Sequence, residues 1–377
     1  MVWEYYQDYL DYFYEKNPKV INLSFLDHRQ ILFDDHYGWP ADLSQYMTLK
    51  GIETEFIIAN NFELQRAWAI ENGFEVFSKS NFKYEILYHQ IKKLQPDILW
   101  IPGLFHFFGN FIKSVKPFCK KIVLWHSAPT PSGLDLTHFD TLITTNPKKF
   151  LDYNHKFKEK IITKPPFTPE VLKKVGHLPK KHDITFIGGI SQDHSIRCEI
   201  ISFLIKNGIK VSCFGYLHKR DKSSLWSLFS SMYKTNSKGF FHNLKGLFPQ
   251  KYDENLEIIN SIHSGPIFGM DMYRALAQSR ATLNVHIDIA GGHSGNMRMF
   301  EATGMGTCLI TNKSPSNSNY FDVKNEILTF RSKEDLLTLV KDIRSKKIGK
   351  ISKAGQRRTL NEHSIPNMFE DIKSVFV

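Results

Sequence analysis

The sequence predicts two doubly wound α/β domains in tandem. Three features support this prediction: a length of 377 residues, an ordinary globular composition, and a regular alternation of short apolar runs with helical patterns. At roughly 100–200 residues per domain, the length suits two domains. Hydrophobic residues make up 42% and charged residues 23%, which excludes a mostly disordered chain. No triplet or heptad repeat is visible, which excludes collagen and coiled coil.

The first half of the chain has the pattern of βαβ units. Apolar, β-rich runs predict strands at residues 20–25, 53–59, 97–101, 121–125, 141–145 and 160–164. Helical periodicity predicts helices at residues 40–50, 62–72 and 82–94, with Gly51 as a stop signal after the first. We therefore expect an N-terminal domain over residues 1–165, followed by a proline-rich, basic linker at 166–182.

The same alternation restarts at residue 183 and predicts a second domain over residues 183–360. Strands are expected at residues 183–187, 210–214, 281–287, 307–311 and 327–330. Helices are expected at residues 195–207, 270–279, 296–303 and 333–341. Residues 217–264 interrupt the alternation and are interpreted as an insertion. Residues 361–377 are expected to form a helix that returns to the N-terminal domain.

The net charge indicates which binding partners to expect, and the cysteines indicate in which cellular compartment the protein works. The 49 Lys and Arg against 38 Asp and Glu give a net charge of +11, which favours nucleic acid, an acidic membrane surface or a phosphorylated ligand. The four cysteines form no CxxC pair, so no zinc site is expected, and they are typical of a reducing compartment. With no signal peptide and no apolar run near ~18 residues, the sequence predicts a cytoplasmic protein.

The pattern of residues 284–311 predicts a strand, a glycine-rich loop, a helix, a glycine turn and a second strand, in that order. Glycines in the loop, among them Gly295, allow the backbone to approach a ligand closely. The free N–H groups of a helix that begins near Asn296 would favour a phosphate. Arg298 and Glu301 share one helix face, so that Arg298 can pair with a phosphate and Glu301 can accept hydrogen bonds from a ribose. The alternative is a surface ion pair beside an ordinary turn.

The string MRMFEATGMGTCLIT at residues 297–311 resembles the donor-site segment of GT-B glycosyltransferases, especially the spore-maturation, CgeB-like group. The resemblance continues at residues 319–336 and 354–364, and it covers roughly residues 183–363. It implies two Rossmann-like domains that face each other across a cleft. It also implies that a nucleotide sugar is held mainly by the C-terminal domain.

The resemblance assigns roles to particular residues. It places Glu301 on the donor ribose, and it places the diphosphate at Ser294, Gly295, Asn296 and Arg298. Many retaining relatives carry a second glutamate eight residues before the position of Glu301, where this chain has His293, so inverting and retaining transfer both stay open. No cofactor and no bound metal are implied, because the helix dipole and basic side chains would neutralise the leaving diphosphate.

Further donor-site candidates follow predicted strands of the second domain. Gly188 and Gly189 are candidates for a second phosphate-facing loop, with Arg197 as a nearby cation, or else for an ordinary turn. Tyr216 is a candidate for stacking on a nucleobase, or else a core or rim aromatic. His286 is a candidate at a strand end, or else a hydrogen-bonded structural residue.

Candidate catalytic residues lie in the N-terminal domain. Residues 27–40 are expected to form a loop after the strand at 20–25, and an inverting transfer would need a base such as Asp35 or His36 there. The alternative is a solvated loop. His126 follows the strand at 121–125 and is expected to line the same cleft. Asp34 and Asp35 come nearest to a DxD-type metal motif, but no metal site is predicted.

The insertion at 217–264 interleaves lysines with aromatic residues. Such a pattern suits an anionic membrane surface or single-stranded nucleic acid. It also suits a helical insertion that packs its aromatics inward. Of the two ligands, the membrane surface is the preferred prediction, and no nucleic-acid partner is expected.

Together these features predict a metal-independent glycosyltransferase, hexosyl or related, that moves a sugar from a nucleotide-diphosphate sugar to a hydroxyl acceptor. The expected acceptor is a glycan or lipid-linked molecule in bacterial surface polysaccharide synthesis, at the inner face of the membrane. The alternatives are a nucleotide-sugar epimerase on the same fold and a non-catalytic protein that binds nucleotides or nucleic acid.

Overall fold

The computed structural model describes residues 1–74, 80–103, 106–127, 135–153, 157–190, 195–217, 250–286 and 295–376. The chain divides into two units. The first consists of residues 1–171, 268–270 and 360–377, and the second of residues 172–267 and 271–359.

The first unit contains parallel strands with helices between them. A two-stranded sheet pairs β1 (Val2–Trp3) with β2 (Ile57–Ile58). A four-stranded sheet has the order β3 (Ile98–Pro102), β4 (Lys121–Trp125), β5 (Thr141–Thr144), β6 (Glu159–Ile162). The first helices in chain order are α1 (Gln7–Lys16), α2 (Phe25–Asp34), α3 (Pro40–Leu49), α4 (Phe62–Glu71), α5 (Phe82–Leu94), α6 (Asn110–Val115), α7 (Pro147–Asp152) and α8 (Glu170–Val175).

The second unit is built on one parallel sheet. Its strands are β7 (His182–Ile187), β8 (Val211–Phe214), β9 (Ser279–Asn284), β10 (Cys308–Asn312) and β11 (Leu328–Phe330), in the spatial order β11-β10-β9-β7-β8. The helices that follow are α9 (Ser195–Lys206), α10 (Gln250–Asn260), α11 (Gly269–Ala277), α12 (Met297–Gly304), α13 (Lys333–Lys341) and α14 (Lys346–Glu362). A final helix, α15 (Ile365–Ile372), lies in the first unit.

The strand order places the switch point of the second sheet between β7 and β9. The chain runs from β7 outward to β8 and then returns to the other side of β7 with β9. In doubly wound sheets, ligands bind outside the carboxyl ends of the strands at this point. The loops after β7 and β9 are therefore where a ligand site is expected.

The predicted α/β class is confirmed, and most predicted elements lie within a few residues of the observed ones. The central strands are almost continuously apolar because both faces of a parallel sheet are covered. In β4, for example, Ile122, Val123 and Leu124 are fully buried. Such runs are visible in a sequence without knowledge of their partners.

The strand predicted at residues 20–25 is wrong. Residues Pro18–Asn22 form a 3-10 helix, and α2 begins at Phe25 after Ser24, whose side chain accepts a hydrogen bond from the Asp27 N–H group. The buried positions Phe25, His28, Leu32 and Phe33 follow helical spacing. Residues 27–34 are therefore helical, and the loop expected at 27–40 is reduced to the turn between α2 and α3.

The predicted linker at 166–182 is not free of regular structure, since it contains α8. Val171 and Val175 of that helix are buried. Most of the predicted insertion at 217–264, including its basic and aromatic residues between 218 and 249, lies outside the described residues. The end of that segment forms α10, whose Leu256 and Ile259 pack into the core of the second unit. No helix among the described residues is long and apolar enough to cross a membrane.

Candidate functional site

The loops that follow β7 and β8 lie side by side at the carboxyl ends of these strands. The Gly188 N–H group donates to the Phe214 carbonyl, and the Ile190 N–H group donates to the Tyr216 carbonyl. Gly215 has φ +150°, and a Cβ atom there would lie 1.9 Å from the Gly188 carbonyl oxygen. This close approach requires glycine at position 215. The predicted candidates Gly188, Gly189 and Tyr216 thus belong to one pair of adjacent loops.

Arg197 ties the loops after β7 and β9 together. From α9, its Nη1 donates to the Gly189 carbonyl at 2.9 Å and its Nε donates to the Val285 carbonyl at 3.0 Å. Burial, and the positive charge of Arg298, lower the pKa of Arg197 to about 10. The guanidinium therefore stays charged at neutral pH. Its Nη2 group has no hydrogen-bond partner among the residues that the structure describes.

His286 lies just beyond β9 and faces the same cation. Its backbone N–H group donates to Oδ1 of Asn312 at 2.9 Å. Burial, and the charge of Arg197, lower the pKa of His286 to about 4, so that the imidazole is neutral at neutral pH. A neutral ring can accept a hydrogen bond as well as donate one.

Asn296 fixes the start of α12 to the end of β9. Its amide exchanges hydrogen bonds with the amide of Asn284, at 3.0 and 3.2 Å. Because this side chain is engaged there, it makes no capping hydrogen bond to α12. Of the first-turn N–H groups, that of Met299 donates to the Asn296 carbonyl at 3.1 Å, so those of Met297 and Arg298 are the candidates for binding an anion. Gly295, immediately before, has φ +136° and approaches the Tyr320 hydroxyl closely.

Arg298 and Glu301 form an ion pair on α12 in which Nη1 of Arg298 lies 2.7 Å from Oε2 of Glu301. Only 19% of the arginine side chain and 8% of the glutamate side chain are exposed, so this is not the surface pair that was the alternative interpretation. Among the described residues, Nε of Arg298 and Oε1 of Glu301 have no hydrogen-bond partner. Because Nε of Arg298 is itself buried and Nη1 contacts Glu301 and Met272, the atoms that keep hydrogen-bonding capacity for a ligand are Nη2 of Arg298 and Oε1 of Glu301.

Arg197 lies in the first turn of α9 and Arg298 in the first turn of α12, and the charge of Arg298 contributes to the lowered pKa of Arg197. Of the predicted donor residues, Gly188, Gly189, Arg197, Tyr216, His286, Gly295, Asn296, Arg298 and Glu301 all lie in the second unit. His293 and Ser294, with the rest of the glycine-rich loop, lie outside the described residues.

In the first unit, His36 occupies a left-handed backbone conformation, with φ 49°, in the turn between α2 and α3. Its Nδ1 lies 2.7 Å from Oδ1 of Asp42, and the Thr168 hydroxyl donates to Oδ2 of Asp42 at 2.8 Å. All three side chains are buried. Among the described residues, Nε2 of His36 has no hydrogen-bond partner. Asp42 and Thr168 were not predicted from the sequence.

Asp35 and His126 have different surroundings. The Asp35 carboxylate accepts hydrogen bonds from the Tyr9 hydroxyl at 3.0 Å and from the Met270 N–H group at 3.1 Å. His126 directly follows β4, is 1% exposed, and donates its backbone N–H group to the Ile143 carbonyl at 3.0 Å.

Residues 204–374 match a family model described as glycosyl transferase-like. Among solved structures, the chain is similar to a glycosyltransferase from Rickettsia africae, with 13% identity over 89% of this chain and 92% of that one, at a TM-score of 0.50. The chain has a GT-B-type α/β fold, as predicted. No curated protein sequence matches it.

Two further structures are similar at lower scores. One is Anabaena Alr3699/HepE in complex with UDP and glucose, with 9% identity over 88% of each chain and a TM-score of 0.49. The other is the GtfA/B complex, with 10% identity over 78% of this chain and a TM-score of 0.44. The chain spans only 60% of that second relative's length.

Proposed function

We propose that the protein transfers a sugar from a nucleotide-diphosphate sugar to a hydroxyl acceptor. The observation that carries this proposal is the pair of partly buried guanidinium groups of Arg197 and Arg298, which lie in the first turns of α9 and α12, the helices that follow β7 and β9. At the start of α12 the Asn296 side chain makes no capping hydrogen bond to the helix. Two cations and free N–H groups at such a position suit a diphosphate. The match of residues 204–374 to a glycosyl transferase-like family model also supports the proposed sugar transfer.

In this proposal the donor nucleotide contacts α12 and the loops after β7 and β8. Glu301 accepts hydrogen bonds from the ribose through the oxygen that Arg298 does not occupy. Arg298 and the Nη2 group of Arg197 bind the diphosphate, together with the N–H groups that follow Gly295. Neutral His286 offers a further hydrogen bond, and Tyr216 is the candidate for stacking on the base. His293 and Ser294 belong to the same proposed site.

The residues proposed to bind the diphosphate would also help it to depart. Charge accumulates on the leaving diphosphate as the bond from the sugar breaks, and preorganised cations and N–H groups stabilise that charge. A bound metal would be redundant in this role, so metal independence remains part of the proposal. Asp34 and Asp35 are the residues that an unexpected metal requirement would implicate.

For an inverting transfer, His36 is the preferred base. Nδ1 of His36 is held by Asp42, so that Nε2 remains to accept the proton of the acceptor hydroxyl, and Thr168 keeps the carboxylate in place. Asp35 is a weaker candidate because its carboxylate already accepts two hydrogen bonds. His126 remains a candidate for acceptor or donor contacts. The proposed acceptor is a bacterial surface glycan or glycolipid, and the proposed location is the cytoplasm, with attachment at the inner face of the membrane.

Product analysis tests this function directly. The purified protein is incubated with a panel of nucleotide sugars, with and without hydroxyl acceptors, and the products are separated. We expect nucleoside diphosphate and a glycosylated acceptor to form together. A new sugar nucleotide in the absence of acceptor would establish the epimerase instead. Tight donor binding without turnover, across a broad set of acceptors, would support a non-catalytic binding protein.

A further inference from the structure

Helix α14 has two faces of opposite character. Ile348, Ile351, Gly355 and Thr359 are buried. A Cβ atom at Gly355 would lie 2.4 Å from the Glu326 carbonyl oxygen, which shows how closely the helix is packed against the unit. These buried positions recur at helical spacing and so form one face of α14, and the opposite face of the helix points away from the core.

The outward face carries a row of cations, which we call the α14 cationic stripe: Lys346, Lys350, Lys353 and Arg357. At spacings of four, three and four residues they lie within an arc of about 60° and extend about 16 Å along the helix. All four are exposed. Among the described residues none of them has an ion-pair partner.

This arrangement costs stability in the isolated chain. Cations three and four residues apart on a helix repel one another, whereas a glutamate at one of these positions would form a favourable pair. Helix α14 contains a single acidic residue, Glu362, which lies outside the arc of the stripe. An external anionic surface would relieve this repulsion.

We infer that the α14 cationic stripe binds the anionic headgroups of a phospholipid bilayer. A straight row of cations on a rigid helix matches a flat layer of negative charge. The stripe has no aromatic side chain, whereas sequence-tolerant binding of single-stranded nucleic acid relies on base stacking. It also lacks the apolar centre that a protein partner would bury. The contact is therefore electrostatic and reversible.

The inner face of α14 connects this surface to the donor site. The Thr359 hydroxyl lies 2.6 Å from that of Thr303 on α12, and the Gln356 side-chain amide donates to the Gly304 carbonyl at 2.9 Å. Helix α12 also carries Arg298 and Glu301. A bilayer bound at the stripe would thus hold the proposed donor helix at a fixed distance from lipid-linked molecules.

The test is co-sedimentation of the full-length chain with vesicles of phosphatidylglycerol and phosphatidylcholine. Each cation near an anionic surface contributes about fivefold in affinity, so a K346Q/K350Q/K353Q/R357Q variant should bind up to about 600-fold more weakly. Binding of the wild type should fall as sodium chloride rises from about 50 to about 500 mM, because the Debye length shrinks roughly threefold. Vesicles of phosphatidylcholine alone should bind neither protein.

The matched control changes no residue of the proposed site and removes four charges elsewhere in the same unit. Lys181, Lys206, Lys210 and Lys313 are exposed and lie outside α14, so K181Q/K206Q/K210Q/K313Q should retain most of the vesicle binding. Equal losses in this control and in the stripe variant would overturn the inference, as would unchanged binding of the stripe variant. Preferred binding of the wild type to an RNA or DNA oligonucleotide would overturn it as well. None of these outcomes depends on glycosyl transfer, so failure of the proposed function would be distinguishable.

Discussion

Replacing Glu301 by glutamine separates its two proposed contacts, one to Arg298 and one to the donor ribose. The substitution keeps the shape of the side chain and removes its charge. We expect binding of nucleoside diphosphate to weaken by about 1.5–3 kcal/mol, or roughly 10- to 150-fold, because a charged hydrogen-bond acceptor for the ribose is lost. Inorganic pyrophosphate has no ribose to lose a contact, and in E301Q the Arg298 guanidinium would no longer be paired with the Glu301 carboxylate. The affinity for pyrophosphate should therefore stay the same or increase.

The same substitution should also destabilise the fold. Arg298 is only 19% exposed, so without Glu301 it becomes a largely buried charge with no counter-ion in the pair. Breaking a buried pair costs about 3–5 kcal/mol, and the partial exposure of Arg298 places this case nearer 2–3 kcal/mol. Thermal denaturation should show a Tm lowered by about 5–10 °C. A saturating diphosphate should recover part of that loss, because it binds only the folded state.

Isothermal titration calorimetry with both ligands provides the measurement, and E326Q provides the control. Glu326 lies 4.0 Å from Arg358, which makes it a second Arg–Glu contact of the same unit that takes no part in the proposed ribose contact. E326Q should leave both affinities within about twofold. The assignment of Glu301 is refuted if E301Q binds nucleoside diphosphate as tightly as the wild type. Equal weakening of both ligands would remove the ribose role and leave only an effect on Arg298.

Three other predictions address catalysis, metal use and pH. D42N should lower kcat by about 10- to 100-fold with little change in KM, since His36 loses its orienting partner. H36A should lower kcat by at least the same factor. Steady-state assays that give both variants the activity of the wild type would exclude His36 as the base. Activity should persist in EDTA, and complete loss restored by manganese would reveal a metal site. Burial lowers the pKa values of His28 and His286 to about 4, so the unfolded state binds more protons below pH 6.5. The free energy of unfolding should therefore fall as pH drops from about 6.5 to about 4, less steeply in H286Q, which urea denaturation can measure.

The parts of this fold that the sequence predicts are those with local signals. Buried parallel strands such as β4 are short apolar runs, and helix α3 ends before Gly51, whose φ of +85° favours glycine. Arg298 and Glu301 were found because a spacing of three residues places them on one helix face. In each case the signal and the feature it reports lie within one turn or one strand.

The parts that were missed depend on contacts between distant residues or on competing local signals. Asp42 and Thr168 are separated by 126 positions, so nothing in either neighbourhood indicates their hydrogen bond. Residues 20–25 are β-rich by composition, but Pro18 begins a 3-10 helix and Ser24 caps α2. The capping residue and the helical spacing of the apolar residues after it were the signals that composition concealed.

The position of Arg197 beside the loop after β7 was predicted from the sequence, but its contacts with two loops were not. The sequence predicts a cation near a phosphate, because the residue follows a glycine turn after a strand. In the structure, two of its N–H groups hold the Gly189 and Val285 carbonyls, so the side chain first builds the site that it is proposed to serve. A lysine could not replace it, because one ammonium group cannot span two loops and still present a donor to the ligand. The loss of Arg197 should therefore disturb the loops after β7 and β9 together, whereas the loss of Arg298 removes the ion pair with Glu301 on α12 and the contact with Met272 on α11.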